Sequence, residues 1–533
     1  MTDHARLHRN IRSWALAASM VGAMACRTSV DDVHRWANTL QGPRKIVAVM
    51  THDKYPDDLR VEAAMTLVRM KPRSGRRVGI DELVSGLDAL PAPGRAKIVT
   101  GMVPILEKEI QKAPPAEPAP GAARDADTTF PYKDAAFALL TNQGQGLVAN
   151  DAERGRLKSA LREWVMADFS ARMDDSSQVY GMGQVLTELG AEGVRRLPLL
   201  ITPDAKKIGS ISQLVADLGD EPTKIEASQK LVQVASEVDS SAWLTRKAAL
   251  LKQANEASGY KVDGPRFDAQ LAQFQEEELL RAFSSLKLVG QTPAVDYLLG
   301  YAADKSHAEK RREAALAAME GHVDRKSPDQ ATRLLAIAGA DDTPDTVRDQ
   351  AFRRVGELPR KQVIDALYAL FTQKNWKVRW VAAELVLKMS EVAHLGEFMG
   401  KLGAVREMAI TEPLRYGKLI AALPGAPPVR EAIAPFVAAA QPSPVRLTAL
   451  GYYLDQGTSA DLAFLEPLTQ DKARVPECAK GADGCEWQCE ITSEGQQQAK
   501  TVQTVGDFVQ YCVKPAIDER NKPVAAALAT AKN

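Results

Sequence analysis

A five-residue pattern recurs 31 residues apart near the middle of the chain, and it restricts the fold more than any other feature. Val347-Arg348 precedes Ala351, and Val378-Arg379 precedes Ala382. That offset is near the period of short helical-pair repeats, so the stretch from Asp341 to Leu402 reads as two helical hairpins in succession. Ala382 and Ala383 are small enough to let helices approach closely. Val381, Leu385, Leu387 and Met389 supply apolar surface at helical spacing. An arginine just before the small residues can reach the preceding turn or a carboxylate of a neighbouring repeat.

Weaker copies extend the pattern. Leu59-Arg60 precedes Ala63 and Ala64, Arg311 precedes Ala314, and Arg446 precedes Ala449. Glycine turns at Gly190, Gly219 and Gly290 divide further helical stretches, and Lys252 to Leu286 reads as room for one long helix. Asn375, Val378, Arg379, Ala382 and Ala383 together resemble the second helix of a HEAT repeat, of the armadillo-like α-solenoid family. The resemblance implies an all-α solenoid of irregular helical hairpins that binds protein along an extended concave face. It covers most of residues 30 to 470.

Composition agrees with helices packed through small side chains: aromatic residues make up 6% of the 533. The 68 basic and 68 acidic residues cancel, which leaves no overall electrostatic footprint for nucleic acid.

At the N-terminus, Arg6, Arg9 and Arg12 precede an apolar run from Trp14 to Met24, the pattern of a secretory signal too short to span a bilayer permanently. Ala23-Met24-Ala25-Cys26 resembles the bacterial lipobox, which implies cleavage before Cys26 and lipid on that residue. Arg27 follows where an aspartate would signal inner-membrane retention, so the expected destination is the outer membrane, facing the periplasm or the cell surface. Loss of residues 1–25 leaves 65 basic and 67 acidic residues, still nearly neutral.

The expected order is a signal at 1–25, helical hairpins at 26–112, a linker at 113–131, a main array at 132–470, a Cys-rich capping element at 471–515 and a tail at 516–533. Five prolines mark the linker as semi-extended. Cys478, Cys485, Cys489 and Cys512 fall within 35 positions, and the export signal favours two disulfides over a zinc site, whose paired C-x-x-C knuckles are missing. Three connectivities are open; the working assignment pairs Cys478 with Cys485 and Cys489 with Cys512. Alternation at Cys485, Trp487 and Cys489 suggests a short strand, and a turn near Ser493-Glu494-Gly495 could return a second through Lys500 to Val505, with an amphipathic helix from Gly506. This element reads as a cover for the last repeat or as a recognition knob.

Motifs of catalysis are imitated but not completed. Gly144-Gln145-Gly146 lacks a surrounding βαβ unit, and Gly396 to Lys401 (GEFMGK) ends in Leu402 where a phosphate loop needs Ser or Thr; both read as turns between helices. Histidines at 34, 52, 307, 322 and 394 are scattered and read as solvated or capping residues. The sequence therefore points to a lipid-anchored envelope scaffold that binds another envelope protein, without cofactor, metal or nucleic acid. The alternatives are a small-ligand-binding or lyase-type enzyme on the same fold, and a structural spacer.

Overall fold

The computed structural model describes residues 28–73, 76–115, 126–144, 146–167, 169, 181–203, 205, 207–257, 259, 264–405, 408, 411–475, 488–493 and 496–521. Cys26, the signal, Cys478 and Cys485 lie outside the described residues, as do most of the proline-rich linker and the end of the tail. The chain divides into two compact units, Met1–Lys230 and Leu231–Asn533.

The first unit opens with Val30–Trp36, whose N-terminus is closed by a reciprocal Ser29/Asp32 capping box, and continues through Gly42–Thr51, Asp57–Arg69, Val78–Asp88 and Ala92–Ile110. Phe130–Thr141 and Asp151–Ala167 follow, joined by a turn in which Gln143 (φ 50°), Gly144 and Gly146 take left-handed backbone. The glycine pair thus serves a turn, as its sequence implies. Helix Met182–Leu189 ends at Gly190 (φ 58°), also as expected. The next helix stops after one turn, Ala191–Val194, and Pro198 sits in a 3-10 turn beyond it.

In the second unit the hairpins form two layers. Pro328–Gly339 packs on its own partner Asp345–Val355 and on the first helices of the flanking hairpins, Thr292–Ala303 and Arg360–Ala369. Asp345–Val355 in turn packs on Glu309–Ala318 and Trp376–Lys388. Each helix thus buries its apolar face against its partner and against the equivalent helix one repeat away, which defines a HEAT-like α-solenoid. The stretch expected to hold a long helix carries the 25-residue Pro265–Val289, preceded by Ser241–Ala257; Gly264 (φ 74°) and Pro265 set its start. Pro265–Val289 ends on Gly290 in left-handed backbone; the His322 ring covers that glycine and bonds the Lys287 carbonyl at 2.7 Å. GEFMGK is not a turn: it lies inside helix Leu395–Leu402.

Helices Thr411–Ala421 and Ser443–Gln456 cross closely because Gly417 and Gly451 meet there. A Cβ on Gly417 would lie 2.4 Å from the Thr448 carbonyl oxygen. Beyond this crossing, Gln488–Ser493 and Gln496–Thr501 pair antiparallel, with Cys489 opposite Lys500. Val505–Phe508, capped by Thr504 and Asp507, leads through a π turn at Val509–Val513 into Lys514–Arg520. A disulfide joins Cys489 to Cys512 and so ties the hairpin to this helix. The helix covers the end of the array: Arg520 donates to the carbonyls of Tyr453, Leu454 and Gly457, and Ile517 packs against Gly457. The bridge closes a loop over a sequence separation of 23 residues. Its removal by Cys512→Ala is expected to cost about 2–4 kcal/mol, raising amide exchange across 505–520 by about 30-fold or more. Unchanged protection in that segment would show that packing alone holds it.

Candidate functional site

The recurring arginines close successive helical segments. In Arg60, Arg348 and Arg446 the guanidinium Nε donates to a carbonyl at the end of the preceding helical segment: Met50 at 2.9 Å, Ala338 at 3.2 Å and Val437 at 3.1 Å. Those carbonyls lack intrahelical partners, so a buried cation there satisfies the orphan acceptors and the negative end of the helix dipole together. Acidic residues balance the charge: Asp57 and Asp345 lie three positions before their arginines, and Asp471 pairs with Arg446. In the fourth copy the position belongs to Arg312, which bonds Ala302 at 2.8 Å, and not to Arg311. Arg311 instead pairs with Asp239 at 2.9 Å beside His307, whose ring stacks on Tyr301.

Arg379 departs from this scheme, and its departure builds the candidate site. Its Nη1 bonds the carbonyls of Gln373 and Lys374, while Nε and Nη2 clamp the Glu412 carboxylate at 2.9 and 2.7 Å. Both side chains are at most 9% exposed. The Tyr416 hydroxyl donates to the same carboxylate at 2.6 Å; burial, reinforced by that negative charge, raises its pKa and keeps it protonated. Tyr416 is stacked by Trp380, centroids 5.6 Å apart and planes within 9°. Arg415, one residue before Tyr416, sits over Trp380 at 5.8 Å and over Trp376 at 5.7 Å.

Trp376 is the first residue of helix Trp376–Lys388, fixed there by the Asn375 cap, and its side chain is 46% exposed. Beside it a groove of about 510 Å³ runs between this helix and Asp345–Val355. Phe352, Trp380, Val381 and Leu385 form its apolar floor, and Asp349, Arg353, Lys377 and Glu384 stand on its walls. Lys377 pairs with Asp345 across the groove, and Lys388 with Glu384 at 2.7 Å along one wall. The arrangement offers a fixed indole, an apolar floor and charges of both signs. No cluster of three or more His, Cys, Asp or Glu side chains suited to a metal occurs among the described residues.

The sequence singled out the repeat that carries this groove, but not Trp376, Trp380, Glu412 or Tyr416. Trp376 was open to notice as a large aromatic at a helix start. Glu412 was not, since it lies 33 residues from its partner. The histidines divide between roles: His394 accepts from the Glu391 amide as part of a cap, His34 pairs with Glu62, and His307 is stacked.

No family model matches the sequence, and no curated protein matches it. Among solved structures the chain is similar to Kap121p bound to Pho4p, with 12% identity, a TM-score of 0.24, and 88% of this chain and 48% of that chain covered. It is likewise similar to Kap121p bound to Nup53p, with 11% identity, a TM-score of 0.24, and 90% and 48% covered. The chain spans about half the length of these structures.

Proposed function

We propose that this protein is a lipid-anchored scaffold of a bacterial envelope, and that its Trp376 groove binds a segment of another envelope protein. One observation carries the reading: a half-exposed tryptophan stands on a platform that is itself buried, ion-paired and stacked. Interfaces draw most of their binding energy from a few tryptophan, tyrosine and arginine anchors held in place before the partner arrives. Trp376, Arg415 and Trp380 supply such a set, braced from below by Tyr416, Glu412 and Arg379. The flanking charges of both signs suit a peptide segment rather than a polyanion.

Export and anchoring rest on the Arg6 to Cys26 segment, and the outer-membrane destination on Arg27. No helix among the described residues is long and apolar enough to cross a membrane; attachment is assigned to Cys26 on its lipobox-like segment alone. A fatty-acid probe should label the wild type and not Cys26→Ala; equal labelling removes the anchor.

Binding is tested by crosslinked capture from envelope extracts with the intact protein and Trp376→Ala, after circular dichroism shows both folded alike. The wild type is expected to enrich one or two envelope proteins, and the variant to lose about 30-fold in affinity for them, the size of an interface hot spot. Equal capture by both removes the groove from the binding surface.

A further inference from the structure

We propose that the loop around Leu40 is a lipid-contact surface that seats the first hairpin on an anionic bilayer. Leu40 is 90% exposed, more than any other large apolar side chain among the described residues. A single exposed leucine is ordinary on a soluble surface. This one is held out by a dedicated brace: the Arg73 guanidinium donates to the carbonyls of Ala37, Thr39 and Leu40 at 3.1, 2.8 and 3.3 Å. The brace fixes the backbone of the loop and leaves its apolar side chain in water.

The two segments that form the loop and its brace carry positive charge only. Residues 35–45 and 71–76 contain Arg35, Arg44, Lys45, Lys71, Arg73 and Arg76, and no carboxylate. Asp32 and Asp81, just outside these segments, pair with Arg35 and Arg76, while Arg44 and Lys45 are exposed. Trp36 stands beside the loop with the Lys45 ammonium 5.6 Å from its ring centre. An apolar tip, an indole and a cationic collar are the groups that partition together into the headgroup region of an anionic membrane.

Chain length supports the same occupant. Thr28 bonds Tyr55 at 3.5 Å, and Ser29 caps the first helix. From Cys26 to Ser29 the chain can reach at most about 11 Å. This part of the argument rests on the proposed anchor: lipid on Cys26 would hold the start of Val30–Trp36 near the bilayer, and that seven-residue helix, about 10 Å long, is short enough for Leu40 just past its far end to reach the surface. Leu40 would then dip among the acyl chains while the collar pairs with lipid phosphates.

The test places a benzophenone amino acid at Leu40 in the intact, membrane-bound protein, and at Leu199 as a control that is 56% exposed in the same unit. Cys26 fatty-acid labelling is measured on the same preparation. Phospholipid adducts at position 40 and not at 199 are the expected result, and they support the surface whether or not Cys26 is labelled. A labelled Cys26 with no lipid adduct at position 40 overturns the surface and leaves the anchor standing; loss of both overturns both. In the double variant Arg44→Ala/Lys45→Ala the lipid adduct should fall by about fivefold per charge removed. An unchanged yield overturns the role given to the collar.

Discussion

Alanine at Asp134 is expected to destabilise the first unit by about 3–5 kcal/mol, because it strands two buried cations. Lys133 and Asp134 are both 0% exposed, their side chains are paired, and the Arg77 Nε lies 2.6 Å from the second carboxylate oxygen. Phe130 and Trp164 face the Lys133 ammonium at 5.9 and 5.2 Å, and the Trp164 indole donates to Thr129 at 2.7 Å. Burial lowers the Lys133 pKa below its ordinary value of 10.5, and Asp134 is the main group that raises it again. Without Asp134, burial and the Arg77 charge depress it further.

With the folded pKa lowered, the unfolded chain binds the proton more readily, so stability rises with pH between the folded value and 10.5. The cost is full below the folded value. Asp134→Ala should therefore regain stability on going from neutral to alkaline pH, at up to about 1.4 kcal/mol per pH unit relative to wild type. Denaturant unfolding at several pH values, with exchange of the Phe130–Thr141 amides as the local probe, measures this. Lys133→Met added to Asp134→Ala should recover part of the loss and remove the pH slope. A variant as stable as wild type at neutral pH would mean that the cluster opens to water.

Glu412→Ala is expected to cost a similar amount, about 3–5 kcal/mol, in the second unit. It leaves the Arg379 guanidinium, which is 9% exposed, without its carboxylate, and it deprives the Tyr416 hydroxyl of its acceptor. Glu412→Gln should cost less, since an amide oxygen still accepts a hydrogen bond. The consequence for binding distinguishes this site from an ordinary buried pair. Tyr416 supports Trp380, so Glu412→Gln should weaken capture of the partner while circular dichroism stays native. Chemical denaturation of both variants, beside capture by the glutamine variant, separates the two effects. Native binding by a destabilised Glu412→Gln would show that the platform does not depend on its ion pair.

How much of this was legible before the structure varies with the range of the interaction. Arg60, Arg348 and Arg446 were readable because their partners lie on the turn just before them. The Arg311 copy shows the limit of that reading. Arg311 precedes Ala314 and Arg312 precedes Ala315, so the pattern fits both, and only packing shows that Arg312 faces the Ala302 carbonyl. GEFMGK misled for a related reason. Gly396 and Gly400 suggested a turn, yet neither has a neighbour where its Cβ would be, and both sit in a helix whose buried residues are Leu395, Phe398, Met399 and Leu402. The apolar spacing outweighed the glycines.

Nothing in the sequence sets Lys133-Asp134 apart from the many adjacent opposite charges that stand in solvent. The pair became a core because Phe130, Trp164 and Arg77 close over it. By itself the sequence determined the repeating helical hairpin, the reach of its arginine to the preceding turn or a neighbouring carboxylate, and the amphipathic helix after Gly506. These depend on contacts within one or two turns of chain, where spacing fixes geometry. Tertiary structure alone decided which tryptophan stands free, which glutamate holds Arg379 and which leucine is pushed into water. Those choices are made between residues about one repeat apart, where the chain's local pattern carries no information about which side chains meet.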